Sequence, residues 1–122
     1  MLKQFEKQQY LNIETFRKNG QGVKTPVWFA QDGETLLLWT QADSGKVKRI
    51  HRDGTVRIAP STASGESVGE WVHANAKVES STENIRYTEK LFKEKYGFFF
   101  TFLSWLNRSR GRKYASVKIN LN

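Results

Sequence analysis

Ser44 and Lys46 stand at the start of a short basic segment, directly behind an apolar run, and that spacing suits the capture of an anion. Residues 36–52 read LLLWTQADSGKVKRIHR. Leu36, Leu37, Leu38 and Trp39 make a strand that ends at Thr40. Asp43 offers an N-cap, Lys46, Val47, Arg49 and Ile50 follow at helical spacing, and Gly54 marks the stop. A helix N-terminus presents free N–H groups and a partial positive charge, to which Ser44 adds a hydroxyl and Lys46 an ammonium. The expected guest is a phosphorylated cofactor. The same pattern also describes an Asp-capped, solvated surface helix, so the elements around it have to decide.

The chain of 122 residues fits one domain over 1–122, able to bury roughly two-thirds of its unfolded surface. Hydrophobic residues make up 38% and aromatics 13%, which places it among folded proteins despite a mean hydropathy of −0.64. The absence of cysteine excludes disulfides, thiolate metal sites and cysteine nucleophiles. With no apolar core of a secretion signal at the start and no run near the ~20 residues that span a bilayer, a cytoplasmic protein without a membrane partner is expected. A formal charge of +8 attracts nucleic acid, phosphorylated cofactors and acidic lipids alike. His51 and His73 lack partners in any metal-ligand pattern and read as structural or exposed.

Alternation over residues 10–18 predicts a first strand and NGQG a turn. Residues 23–31 give a second strand, and Asp32-Gly33 a hairpin into the third, residues 35–40, so that a three-stranded meander is expected. Pro26 cannot donate to a ladder, which calls for an edge, a bulge or backbone groups that face a ligand. Residues 55–60 form a fourth strand, 61–69 a Ser- and Gly-rich loop, and 70–80 a fifth strand opened by Trp71. Ser80 and Glu83 have capping-box spacing before an amphipathic helix that ends at Gly97. Residues 98–106, FFFTFLSWL, are apolar nearly all round and predict burial against the sheet or a second subunit rather than membrane contact. Arg108, Arg110, Arg112 and Lys113 form a basic turn before a last strand over 114–121. The order β-β-β-α-β-β-α-α-β, with short connections, points to a mainly β protein, a closed or partly closed antiparallel barrel of six strands with two to three helices.

The segments YLNIETFRKNG, VKTPVWF, TQADSGKVKRI and TVRIAP, spread over nearly the whole chain, resemble the split β-barrel flavin and deazaflavin oxidoreductases that include pyridoxamine 5′-phosphate oxidase-like proteins. Together they look like the small branch of probable F420-dependent enzymes. The resemblance implies an FMN-binding-like split barrel and a homodimer with the cofactor in a groove between subunits. It also implies hydride transfer between F420, or FMN, and a small organic acceptor. Carried over by position, Lys46 binds the cofactor phosphate, Ser44 and Thr40 add hydroxyls, Lys24 and Thr25 line the groove, and Val27 and Trp28 meet the ring. Arg17, Arg49 and Arg57 are further anion candidates, and Trp71 walls the pocket. No catalytic acid or base is expected, because the cofactor carries the chemistry; nor does the sequence offer a nucleophile–base pair or a metal cluster.

Two other readings stay open. A carrier or sensor would bind a flavin or a haem-derived tetrapyrrole in the same pocket without turnover. A nucleic-acid-binding barrel would also combine +8 with aromatic residues on strands, but it leaves the T-x-x-x-S-x-K junction unexplained.

Overall fold

The computed structural model describes residues 2–121. After a 3-10 turn at Lys3–Phe5 come β1 (Tyr10–Phe16), β2 (Gly22–Trp28), β3 (Ala30–Asp32) and β4 (Thr35–Gln41). Next are α1 (Gly45–Arg52), β5 (Thr55–Ser61), β6 (Val72–Glu79), α2 (Thr82–Tyr96), α3 (Phe98–Ser109) and β7 (Tyr114–Leu121). The strands form one curled antiparallel sheet in the order β2-β1-β5-β6-β7-β4-β3, a half-barrel, so the expected split-barrel class holds. It has seven strands rather than six, because the second expected strand divides at Phe29. β2 pairs with β1, β3 pairs with β4 through the Asp32-Gly33 hairpin, and the expected three-stranded meander is therefore absent.

Tyr96 explains the division. Its hydroxyl accepts from Phe29 N at 3.0 Å, and its proton faces both Gln9 O at 2.7 Å and Phe29 O at 2.9 Å. Lys95 Nζ donates to the same Phe29 carbonyl at 2.8 Å. The main-chain groups of Phe29 are thus satisfied by the end of α2 instead of a neighbouring strand.

Inside the curl, Leu11, Ile13, Leu36, Leu38, Val56 and Ile58 pack with Val117 and Ile119, as the two-residue period of strands requires. A second apolar cluster lies on the other face of the sheet, where Phe92 and Phe100 of the helices meet Trp28, Trp39 and Tyr96. α1 adds Val47 and Ile50 to the buried set, and its N-cap is Ser44, not Asp43: Ser44 Oγ accepts from Val47 N at 3.2 Å. Ser81 likewise displaces Ser80 as the cap of α2, accepting from Asn84 N at 3.2 Å. Both corrections are shifts of one residue among neighbouring polar side chains. Gly97 joins α2 to α3 with φ at 64°, a left-handed conformation that favours glycine.

Burial lowers the Lys95 pKa from 10.5 to about 8 and raises that of Tyr96 above its ordinary 10.0. Between about pH 8 and 10.5 the unfolded chain binds more protons at Lys95 than the folded one, so stability should rise with pH across that window. The burial cost is complete below it. Above pH 10 the unfolded Tyr96 loses its proton first, and stability should fall. Urea denaturation should therefore show a maximum near pH ~10, with a rise of about 1 kcal/mol after allowance for the partly solvated ammonium. Lys95→Met should reduce the rise, leaving the part contributed by Lys46, whose pKa burial also lowers.

Candidate functional site

Glu14 and Thr15, adjacent on β1, point to opposite faces of the sheet and organise two groups of cations. On the outer face the register aligns Lys24 of β2, Glu14 of β1, Arg57 of β5 and His73 of β6 in one row. Glu14 is only 6% exposed, and its Oε1 accepts from Arg57 Nε at 2.6 Å and lies 2.5 Å from Nη2. Gly22 is needed beside it, since a Cβ there would collide with the Glu14 carboxylate. Trp71 lies over this row, with Arg57 5.0 Å and Lys24 5.2 Å from its ring centre, both within cation–π range.

At the end of the barrel, Thr15 Oγ1 accepts from Arg49 Nε at 2.7 Å. The Arg49 guanidinium folds back along α1, where a Cβ on Gly45 would lie 2.9 Å from its Nη1. Arg49 and the half-buried Lys46 therefore share the first turn of the helix. Burial, and then the neighbouring Arg49, hold the Lys46 pKa below its ordinary value. Burial and the charges of Arg17 and Arg52 lower that of Arg49. Among the described residues Lys46 has no carboxylate partner. Ser44 Oγ accepts the capping bond and retains its own proton for donation. Thr40, half-buried near the end of β4, leads into this turn and pairs with Ala115.

The pleat of β2 divides the other expected residues. Thr25 and Val27 share the inward side with Ile13 and Leu11, and Val27 packs on the core. Lys24 and Trp28 lie on the outward side, where Trp28 stacks on Tyr96 at 4.2 Å, away from Trp71. Lys24, Arg57 and Trp71 come together; Lys46, Arg49 and Ser44 come together; Val27 and Trp28 join neither group. Pro26 lies on an edge strand of the sheet, as its missing donor requires.

Three residues escaped the sequence reading. Glu14 and Thr15 looked like ordinary strand positions, and only the register reveals their arginine partners. Asn12, opposite Pro26, donates from Nδ2 to Gly65 O at 2.7 Å under the 61–69 loop, while its buried Oδ1 has no partner among the described residues. A buried acceptor without a donor is rare enough to mark a position for a ligand, water or partner group.

No family model and no curated protein matches the sequence. Solved structures do match. HutZ of Vibrio cholerae, described as a haem storage protein, superposes with a TM-score of 0.72 at 14% identity, over 96% of this chain and 84% of its own. A candidate pyridoxamine 5′-phosphate oxidase from Listeria innocua gives 0.69 at 18% identity, over 99% and 90%. An F420 reductase gives 0.65 at 15% identity, over 99% and 92%. Seven curled antiparallel strands flanked by three helices, matched over nearly the whole chain by these structures, give this protein the split β-barrel fold of the pyridoxamine 5′-phosphate oxidase-like proteins.

Proposed function

We propose that this chain binds a phosphorylated flavin-type cofactor, F420 in preference to FMN, and transfers a hydride between it and a small organic acceptor. The observation that carries the reading is the half-buried Lys46 at the first turn of α1 with the Arg49 guanidinium beside it, Arg17 and Arg52 adding their charge on Arg49, and no carboxylate on Lys46 among the described residues. Like charges held together under partial burial are relieved by an anion, and the adjacent hydroxyls and helix N–H groups suit a phosphate. The donor set therefore fits the group. Lys46, Ser44 and Arg49 hold the phosphate, with Thr40 beside them.

Lys24, Arg57 and Trp71, on the opposite face of the sheet, meet the cofactor where it passes the free edge of β2. The free edge of β2 around Thr25 and Pro26 offers main-chain groups to the polar rim of a ring. Val27 and Trp28 support that edge from either face. Such a cofactor supplies the hydride chemistry itself, and the protein's part is to bind it, orient it and leave one face open. A second copy of the chain completes the groove, giving a homodimer in the cytoplasm.

A non-catalytic carrier is the second reading, favoured by the likeness to a haem storage protein. Reduced cofactor bound to the protein should be reoxidised faster in the presence of one of a panel of quinones, enones and tetrapyrroles than without protein. Stoichiometric binding with no acceleration by any of them would favour the carrier.

A further inference from the structure

Of the two burials expected for residues 98–106, against the sheet or against a second subunit, the first is not found: α3 turns only Phe100, Ser104 and Asn107 inward. Phe98, Phe99 and Trp105 are 78%, 76% and 64% exposed, and Phe102 and Leu103 lie open beside them. Phe98, Phe102 and Trp105 form one continuous stripe, with successive ring centres 6.4 Å apart. An exposed aromatic patch of this kind marks an interaction surface.

Its surroundings choose the occupant. Between α2 and α3 runs a cleft of about 430 Å³, with Arg86, Lys90, Lys93 and Arg108 along it and Phe100 and Trp105 as apolar wall. Its one carboxylate, Glu89, is already held by Arg108 Nη2 at 2.8 Å and by Trp39 Nε1 at 3.1 Å. Past the end of α3 stand Arg110, Arg112 and Lys113, all exposed. The cleft along the aromatic stripe and the C-terminal end of that stripe are thus basic. A two-fold pairing of this face with a second copy would set cations against cations, whether the two helices ran parallel or antiparallel. An anionic surface meets no such conflict.

We infer that α3 docks this protein on an anionic lipid bilayer, with its aromatic stripe in the interfacial layer and the flanking arginines and lysines on the headgroup phosphates. A helix of 12 residues is about 18 Å long, too short to cross but suited to lie in the plane of the interface. Among the described residues no helix is long and apolar enough to span a membrane. α1 packs on β1 and β6, whereas α3 packs on α2, so docking leaves the proposed cofactor groove free.

Flotation with vesicles of phosphatidylcholine alone and of phosphatidylcholine with phosphatidylglycerol provides the test. The protein should float with the anionic vesicles only, and raised salt should release it. Neutralising Arg110, Arg112 and Lys113 to Gln should lower the partition about fivefold for each charge removed. Phe98→Ser with Phe102→Ser and Trp105→Ser should abolish flotation without loss of circular dichroism, since these side chains are exposed. Equal flotation with neutral vesicles, or undiminished flotation of the triple serine variant, would overturn the inference. So would failure to float combined with a dimer that the same variant dissociates in sedimentation, because a second copy would then occupy the face.

Discussion

Replacing Lys46 with alanine should weaken cofactor binding by about ten- to a hundredfold while leaving the unfolding transition in place. A charge-assisted contact to phosphate is worth roughly 1.5–3 kcal/mol, which sets that range. The fold does not depend on the ammonium. Burial and Arg49 both disfavour the charged form of Lys46, so the folded state gains nothing by keeping it unneutralised. A variant with wild-type affinity for both F420 and FMN would show that the phosphate is held elsewhere, and Lys24 with Arg57 would be the next pair to change.

Arg57→Met should have the largest effect on stability. Removing one partner of a buried ion pair costs about 3–5 kcal/mol, because the remaining charge stays uncompensated. The Arg57 side chain is 33% exposed against 8% for Glu14, so water can reach the vacated side and a loss of about 3 kcal/mol is expected. Adding Glu14→Gln should restore much of it, since the amide needs no counter-charge. Urea denaturation of the two single variants and the double variant would measure the coupling. Simple additivity would mean that Glu14 is not held by Arg57, and the row beneath Trp71 would lose its anchor.

The strand periods, the Asp32-Gly33 hairpin and the short basic helix were legible from spacing, because each depends on neighbours within a few residues, whereas Pro26 announced an edge, a bulge or a ligand-facing backbone without deciding between them. The break at Phe29 was not. It is made by Tyr96 and Lys95, some 67 residues away along the chain, and no local pattern announces a hydroxyl that replaces a strand. The cap assignments failed by one position because Asp43 and Ser44, like Ser80 and Ser81, are both competent, and the backbone selects between them. The exposure of Phe98, Phe99 and Trp105 shows that this apolar run is not buried against its own sheet, which its composition alone could not distinguish from burial against another surface. At the site, Lys46 and Ser44 could be named from one junction. The Glu14–Arg57 and Thr15–Arg49 pairs required the pairing register of β1 and the docking of α1.

The central claim, that the first turn of α1 holds the phosphate of a flavin-type cofactor, is tested most directly by titrating the protein side by side with F420 and FMN and following fluorescence. Saturable binding of F420 in preference to FMN, weakened by salt and by Lys46→Ala, is the result expected. Binding of neither by a protein that retains its secondary structure, with a generic oligonucleotide bound in their place, would contradict it.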